Sequence, residues 1–549
     1  MKPCEAPNAN KTCWNCPAAR LKGNVDFRAC GQSKEKLREL KADKQVMIEC
    51  KRRPELGHFE PTITFEQCPE WELTEYGYML RNMRVMILGI DGYLGWTLAL
   101  KLGNLGCEVS GIDNHLRRDM VSEKGSHSIV PIKSMEERLK AAREVLGINI
   151  NFRRMDLSET EKLREFLEEV RPEAIVHYAE IPSPAYSMVS REHAIKVQQN
   201  NVLNTLSLLF LMKDIVPETS LIKLGTMGEY GSPLTGRPLF EGIFPADATL
   251  EWEGREWSMG GELTPRDPVS FYHVSKVQDT FNIYEACKYW WLRSYDIMQG
   301  VIYGVHTEEL AADPRLRTRL DIDEWMGTVI NRFVAQAVEG IPLTVYGEGE
   351  QIRGFIALED AMECMTRLII SPPEPGQYDV VNQVSGVHKI KNLAETVARV
   401  GNEKFDLDVQ IQRLENPRVE ADRHPFEAVA RKLPGEFGFV PKVSPEKEVT
   451  RMLELLTQPE IKERIREKVH LIIPETFWSG EKRKADVLEV YQPGTKEEGI
   501  FTGKLNTVLP EDIVAKIQAS EKTPVKKRAK ISANGGDPPE EEDEDEGEE

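Results

Sequence analysis

The sequence predicts an α/β fold built on a doubly wound parallel sheet. Two observations predict this. A short apolar run, Val85 to Leu88, stops at three glycines, and apolar residues then recur at helical spacing at Leu94, Leu98 and Leu102. From there to residue 226, short buried strands alternate with amphipathic helices, as in successive βαβ units.

The three glycines indicate a phosphate-binding turn. Gly89 allows a tight turn, Gly92 lets the backbone approach a pyrophosphate, and Gly95 lets the helix pack close to the strand. The helix that begins at Tyr93 and Leu94 then faces the phosphates with its N-terminus. An ordinary βα turn would share this spacing, so the downstream context decides between the two.

That context is a second strand, CEVSGID, which ends at Asp113, 24 residues after Gly89 (113 − 89). A carboxylate there accepts hydrogen bonds from the adenosine ribose and repels a 2′-phosphate, so the sequence favours NAD over NADP in a Rossmann-type domain. Asp156, with Leu157 after it, follows the third strand and is predicted to contact the adenine amino group.

Further strands are predicted at 150–155, 174–180 and 220–226, and helices at 134–146, 159–169 and 193–213. The crossovers are expected to be right-handed, which places the cofactor along the C-terminal edge of the sheet. With 549 residues, two or three units are expected. We predict a Cys-rich extension at 1–82, a Rossmann core at about 83–300, substrate-binding parts to about 480 within a body that ends near 485, and a C-terminal extension at 486–549.

The net charge of −19 argues against nucleic-acid binding, although residues 537–549 alone hold ten carboxylates. No apolar run is long enough to span a membrane, and the N-terminus has no apolar signal core. We therefore expect a cytoplasmic protein with no membrane insertion. Its charged, low-complexity end is expected to be disordered.

Six of the nine cysteines lie in the first 82 residues, and so small a segment needs extra stabilisation. The spacing of Cys13 and Cys16 is typical of a zinc or iron–sulfur site. Redox-active thiols, disulfides and simple packing remain open alternatives. The candidate ligands are Cys4, Cys13, Cys16, Cys30, Cys50, His58 and Cys68.

Reaction chemistry is predicted at the same sheet edge. Tyr272 and Lys276 are four residues apart, so on a helix they share a face, and the ammonium could lower the pKa of the phenol. Thr226 ends the fifth strand, where its hydroxyl could hold a substrate oxygen. A Tyr-Lys pair is common on helix surfaces, but its position after a dinucleotide turn favours catalysis.

These residues resemble an extended short-chain dehydrogenase/reductase. The strings GIDGYLGW, DNHLRR, KLGTMGEYG, FYHVSK, MQGVIYG, LTVYGEGEQIRGF and NPRVEA together resemble the UDP-sulfoquinovose synthase family over about residues 84–480. The resemblance implies a Rossmann domain with a smaller C-terminal domain, and tightly held NAD. It implies oxidation, dehydration and sulfonation of UDP-glucose with sulfite, and a homodimer formed through the helices that include Tyr272.

The resemblance also implies roles for further residues. Asn114 and Arg117 follow Asp113 in the cofactor site, Tyr346 lines the uridine site and Gln299 the sugar pocket. Two arginines could clamp a diphosphate by bidentate hydrogen bonds. The predicted substrate residues are Thr226, Gln299, Tyr346, Arg353, Arg418 and Glu420.

The chain also departs from its relatives. Nucleotide-sugar 4,6-dehydratases have an Asp-Glu pair after the active-site threonine, whereas this chain has Met227-Gly228. His273 is therefore the best candidate acid or base, with a packing role as the open alternative, and Glu229 is a weaker candidate. Plant and cyanobacterial members of the family have Gln-Arg after the glutamate that corresponds to Glu180, where this chain has Ile181-Pro182. A tyrosine pair after the Arg418 string is replaced by His424-Pro425-Phe426.

Three functions are compatible with the sequence. The first is UDP-sulfoquinovose synthesis. The second is another activity of the same scaffold, such as 4-epimerisation, which needs no sulfite. The third is a non-catalytic NAD-binding module whose cysteine-rich and acidic ends act as a redox or partner-binding device. The intact Thr226, Tyr272 and Lys276 argue against it.

Overall fold

The computed structural model describes residues 79–232, 236–421 and 426–493, together with the backbone of three short strands nearer the N-terminus. Those strands, β1 (Ala19–Lys22), β2 (Met47–Cys50) and β3 (His58–Phe59), form an antiparallel sheet in the order β1-β2-β3. The other candidate metal ligands, Cys4, Cys13, Cys16, Cys30 and Cys68, lie outside the described residues, so the metal site stays a prediction.

A seven-stranded sheet forms the centre of the molecule and confirms the predicted α/β fold. Its strands are β4 (Arg84–Leu88), β5 (Glu108–Asp113), β6 (Ile150–Arg154), β7 (Ala174–His177), β8 (Ser220–Leu224), β11 (Arg293–Gln299) and β15 (Tyr378–Gln383). Their order is β15-β11-β8-β7-β4-β5-β6, and every neighbouring pair is parallel. The strand order reverses between β4 and β7, which is where such sheets bind ligands.

Strand β4 shows why this sheet is buried on both faces. Val85 and Ile87 belong to one apolar core, and Met86 and Leu88 belong to the core on the opposite face. Since successive side chains of a strand point to opposite faces, a continuous apolar run is what a doubly covered sheet requires.

Helices cover both faces. The predicted helix at 134–146 is an α-helix that continues as a π-helix, and the one predicted at 193–213 is likewise interrupted by a π-helical turn. The α-helices are Tyr93–Asn104, Leu116–Glu123, Met135–Ala141, Thr160–Val170, Pro184–Ser187, Arg191–Gln198, Asn204–Ile215, Phe271–Trp290, Glu308–Ala311, Val329–Glu339, Leu358–Ile369, Ile390–Phe405, Lys432–Gly435, Pro445–Leu456 and Pro459–Lys468. The π-helices are Ala142–Leu146 and Gln199–Leu203, and the 3₁₀ turns are Met227–Glu229, Pro314–Leu316 and Val469–Ile472.

The remaining strands form one hairpin and, later in the chain, two small mixed sheets. The remaining strands are β9 (Thr249–Trp252), β10 (Arg255–Ser258), β12 (Val301–Tyr303), β13 (Leu343–Tyr346), β14 (Ile352–Ala357), β16 (Gly386–Lys389), β17 (Ile411–Leu414) and β18 (Val487–Tyr491). β9 pairs with β10, and the two small sheets have the orders β12-β14-β16 and β13-β17-β18.

Two strands lie beyond the predicted domain boundaries but pair with strands before them. β15 completes the main sheet from beyond residue 300, and β18 pairs with β17 beyond residue 485, so the folded body extends past the predicted start of the C-terminal extension. Within the described residues, no helix has both the length and the apolar content needed to cross a bilayer.

Candidate active site

A cleft of about 390 Å³ opens at the carboxyl ends of the central parallel strands. A neighbouring recess of about 230 Å³ shares part of its wall, including Arg353 and Arg418. Most of the predicted site residues line the cleft: Gly89, Gly92, Tyr93, Leu94, Gly95, Asp113, Asn114, Arg117, Leu157, Thr226, Tyr272, His273, Lys276, Gln299, Arg353, Arg418 and Glu420. Tyr346 lines the neighbouring recess instead.

The glycine turn has the geometry expected of a phosphate site. Gly89 has φ +84°, and a Cβ on Gly95 would lie 2.2 Å from the carbonyl oxygen of Gly89. The helix Tyr93–Asn104 has no side-chain cap at Gly92 and no acidic residue in its first turn. Its first N–H groups are therefore available to an anion in the cleft.

Asp113 is held at the cleft by backbone amides. Its Oδ2 accepts a hydrogen bond from the Asp91 N–H at 2.8 Å, and its Oδ1 accepts one from the His115 N–H at 2.6 Å. Burial and the nearby Asp91 raise the pKa of Asp113. Each carboxylate oxygen keeps a second lone pair, so ribose hydroxyls can still donate to it.

The neighbours of Asp113 differ in their orientation. Arg117 donates from Nε and Nη2 to Asp321 at 3.0 and 2.8 Å, which fixes its guanidinium at the cleft wall. Asp156 does not line the cleft. It accepts hydrogen bonds from the Asn114 amide and the Ser158 N–H, so it lies behind Asn114 and orients that side chain.

Tyr272 and Lys276 lie one turn apart on the helix Phe271–Trp290, and both are buried. The Lys276 Nζ is 5.8 Å from the centroid of the Tyr272 ring. Nζ donates to the carboxylate of Glu180 and to the carbonyl oxygen of Leu224. The two side chains therefore share a face, as predicted, but the ammonium is paired with Glu180.

The expected lowering of the Tyr272 pKa is not what this structure shows. Burial and the negative charge of Glu180 raise the pKa of Tyr272 above its usual range. The hydroxyl of Thr226 hydrogen-bonds the phenol and acts in the opposite direction, but it does not outweigh them. In this state the phenol is a proton donor, and a change in the charge around Lys276 is needed to make it a base.

Thr226 and Glu229 have different positions. The Thr226 hydroxyl lies at the cleft and accepts a hydrogen bond from the Gly228 N–H at 3.2 Å. Glu229 is completely buried beneath the turn, where it accepts from the Thr226 N–H and the Thr280 hydroxyl. Since Glu229 does not line the cleft, the structure does not support it as a candidate acid or base.

His273 is buried at the cleft wall beside Gly228, where a Cβ would lie 2.2 Å from its Nε2. Its Nδ1 is 2.8 Å from the hydroxyl of Ser270, and this hydroxyl also accepts from the His273 N–H. We assign the serine proton to Nδ1 and the ring proton to Nε2. Burial, with the charges of Arg418 and Arg353, lowers the pKa of His273 to about 3, so the ring is neutral near pH 7.

Charged and aromatic side chains from distant segments form the far wall of the cleft. Arg353 donates to the carboxylate of Glu420, and the guanidinium of Arg418 stacks 5.3 Å above the ring of Trp478. Gln299 donates to Gln383 at 2.8 Å. In the neighbouring recess, the Tyr346 hydroxyl accepts a hydrogen bond from Arg332 at 2.8 Å.

Comparison with known proteins places this site in a family. Residues 85–288 match a sequence model described as the NAD dependent epimerase/dehydratase family. A UDP-sulfoquinovose synthase of Sulfolobus acidocaldarius is 40% identical over 396 residues, which are 72% of this chain and 98% of the relative. This chain belongs to the UDP-sulfoquinovose synthase family. The chloroplastic UDP-sulfoquinovose synthase of Spinacia oleracea is 38% identical over 395 residues, 72% of this chain and 79% of that protein.

Solved structures agree on the fold. The epimerase Mth375 of Methanothermobacter thermautotrophicus has a TM-score of 0.52 at 17% identity, covering 73% of this chain and 99% of its own. A UDP-glucuronic acid 4-epimerase of Bacillus cereus, in complex with UDP-glucuronic acid and NAD, has a TM-score of 0.50 at 19% identity, covering 68% and 99%. At these identities the likeness establishes the architecture.

The departures from the UDP-sulfoquinovose synthase family pattern also lie at the cleft. Ile181 and Pro182 both line it, and the Asn201 amide holds the Ile181 backbone, with the Ile181 N–H donating to its Oδ1 at 2.8 Å. Phe426 lines the cleft as well, whereas His424 and Pro425 lie outside the described residues. The rim of the cleft is therefore apolar at Ile181, Pro182 and Phe426.

Sequence reasoning missed the residues that position this UDP-sulfoquinovose synthase family site from a distance. Asp321 is 204 residues from Arg117, and Glu180 is 96 residues from Lys276. Trp478 and Arg332 likewise have no local motif around them. The only sequence signal was charge at a predicted strand end, as at Glu180, and it gave no indication of the partner.

Proposed function

We propose that this protein is a UDP-sulfoquinovose synthase that converts UDP-glucose and sulfite into UDP-6-sulfoquinovose. One observation carries the proposal: a relative of that name is matched over 98% of its length, and Thr226, Tyr272, His273 and Lys276 meet in one cleft. In the net reaction, a carbon–sulfur bond replaces the carbon–oxygen bond at carbon 6, and the hydroxyl leaves as water without net oxidation.

The cleft residues fit NAD. The uncapped helix N-terminus behind Gly92 suits a pyrophosphate, and the Asp113 carboxylate suits the ribose hydroxyls. The residues proposed to hold NAD are Gly89, Gly92, Tyr93, Leu94, Gly95, Asp113, Asn114, Arg117, Leu157, Tyr272 and Lys276. When bound, NAD supplies a hydride acceptor and donor for the sugar. We expect NAD to copurify with the protein and the Asp113→Ala substitution to weaken NAD binding. A preference for NADP would contradict this assignment.

The chain's own residues move protons at the sugar. Thr226 holds the 4-hydroxyl against the Tyr272 phenol, which takes its proton while the Lys276 ammonium, held by Glu180, stabilises the phenolate. His273 is neutral, with a proton on Nε2 at the cleft, so it can stabilise the departing 6-hydroxyl by donating a hydrogen bond to it. Arg353 and Arg418 face the same cleft, where they would bind the diphosphate of UDP-glucose.

Mass spectrometry of a reaction with UDP-glucose and sulfite tests the proposal. A sulfonated nucleotide sugar is the expected product, and it must be absent when sulfite is left out. The apolar Ile181-Pro182 rim favours one alternative, a 4-epimerase, which would give a product of unchanged mass in either reaction. That second outcome would replace the proposed function.

Homodimerisation through the helices that include Tyr272 is also proposed. It is supported by large apolar side chains exposed on neighbouring helices, with Phe281 at 49% and Phe210 at 47%. Light scattering of the wild type and of Phe281→Glu tests it.

A cytoplasmic location is proposed as well. Metal in the N-terminal segment stays a prediction that elemental analysis of anaerobically purified protein would test.

A further inference from the structure

One buried carboxyl group has no part in the mechanism above. Asp279 lies one turn after Lys276 on the helix Phe271–Trp290 and is completely buried. Neither of its oxygens accepts a hydrogen bond from any donor among the described residues. An ionised carboxylate is strongly disfavoured in such a place, because neither water nor a donor stabilises its charge.

The group that faces Asp279 is another carboxyl. The side chains of Asp279 and Glu180 lie within hydrogen-bonding reach of each other. Glu180 uses Oε2 to accept from Lys276, and its Oε1 also has no donor among the described residues. Two ionised carboxylates in contact repel each other, whereas a single proton between them gives both facing oxygens a partner.

The charge of the surrounding cluster favours a proton on one of its carboxyls, and burial raises the pKa of Glu229 as well as that of Asp279. Four carboxyls face three basic groups here: Glu180, Glu229, Asp279 and Asp296 against Lys223, Arg266 and Lys276. His177 also faces Glu180, but burial lowers its pKa to about 4 and leaves it neutral. One carboxyl is therefore in excess. Each of the other three carboxyls accepts a hydrogen bond, at Glu180, Glu229 and Asp296. Asp279 accepts none from the described residues.

We propose that Asp279 is protonated at neutral pH and donates this proton in a hydrogen bond to Glu180, so that Asp279 is a positioning residue for Lys276. The hydrogen bond fixes the Glu180 carboxylate, and Glu180 in turn fixes the ammonium 5.8 Å from the Tyr272 ring. Burial and Glu180 raise the pKa of Asp279, while Lys276 lowers that of Glu180 to about 2 against the effect of burial, in agreement with this division of charge. The role in catalysis rests on the proposed function.

Infrared difference spectroscopy tests the proton directly. At pH 8, wild-type protein minus Asp279→Asn should show the carbonyl band of a protonated carboxylic acid. The exposed control Asp214→Asn should show no such band. A difference spectrum without the acid band would overturn the proposal, and this measurement needs neither substrate nor turnover.

Turnover of UDP-glucose and sulfite then tests the positioning role. Asp279→Asn keeps a neutral donor and should retain kcat close to wild type, whereas Asp279→Leu has no donor and should lower kcat by roughly 10²-fold because Lys276 loses its fixed position. A large loss in Asp279→Asn would contradict the role, even if Asp279→Leu does not fold. If the wild type makes no sulfonated product, the proposed function fails, and the infrared result still decides the protonation of Asp279.

Discussion

The two halves of the cleft are built by different means. The half assigned to NAD depends on backbone, with a turn at Gly89, close packing at Gly95 and amide N–H groups that hold Asp113. The half assigned to the nucleotide sugar depends on paired side chains from distant segments, such as Arg353 with Glu420 and Arg418 with Trp478. The NAD half should therefore be sensitive to added side-chain volume, and the nucleotide-sugar half to the loss of a charged side chain.

The catalytic group lies where these two halves meet. Tyr272 and Lys276 are set by helix geometry, but the pKa of Tyr272 depends on Glu180, which comes from the loop after β7. Substitutions should therefore reduce different quantities: turnover at the catalytic group, UDP-glucose binding in the sugar half, and bound NAD and stability in the cofactor half.

The largest loss is expected at the catalytic group. Tyr272→Phe should lower kcat by about 10²–10⁴-fold, because the sugar 4-hydroxyl loses its proton acceptor, while UDP-glucose should still bind. Steady-state kinetics and calorimetric titration measure the two effects. Tyr289→Phe, at the exposed end of the same helix, is the matched control and should be neutral. Near-normal turnover in Tyr272→Phe would remove Tyr272 from the mechanism.

In the sugar half, Arg353→Ala should weaken UDP-glucose binding. A hydrogen bond to a charged group contributes about 1.5–3 kcal/mol, which corresponds to roughly 10–100-fold in Kd. Calorimetry measures this. Arg483→Ala breaks the exposed ion pair with Glu415 and should leave Kd unchanged. Equal Kd values for Arg353→Ala and the wild type would place the diphosphate elsewhere.

In the cofactor half, Gly95→Ala should reduce both bound NAD and stability. The added Cβ would lie 2.2 Å from the Gly89 oxygen, so strand and helix must separate. We expect a loss of about 1–3 kcal/mol in the free energy of unfolding. Gly435→Ala, whose Cβ meets nothing within 4 Å, is the control. Unchanged stability and cofactor content in Gly95→Ala would show that the close approach is dispensable.

Near neutral pH the smallest effect is expected at His273, and it grows as the pH falls. The pKa of His273 is about 3 in the folded protein and 6.5 in an unperturbed chain. As pH falls below 6.5, the unfolded state takes up a proton that the folded state does not, so stability falls until about pH 3. His273→Gln should make this slope shallower by up to one proton, about 1.4 kcal/mol per pH unit. Denaturation at a series of pH values measures it, and identical slopes would mean that His273 titrates normally.

These differences also explain what the sequence could predict. The glycine spacing, Asp113 and the Tyr272-Lys276 pair are local patterns, and the structure places all of them at the cleft. Asp156 and Glu229 do not line the cleft, because an acidic residue after a strand can turn toward the cleft or away from it, and no local pattern decides which. The pKa of Tyr272 was misjudged because it depends on Glu180, a partner that no local pattern identifies.

The position of β15 has a consequence for how the chain folds as it is synthesised. This strand pairs with β11 at the edge of the main sheet, yet it is translated only after most of the sugar-binding segments. Until residue 383 leaves the ribosome, the outer edge of β11 lacks its neighbour. An unpaired edge of this kind can pair with other chains, so a nascent protein stalled near residue 300 should need chaperones. A fragment cut there should aggregate rather than form an independent NAD-binding domain.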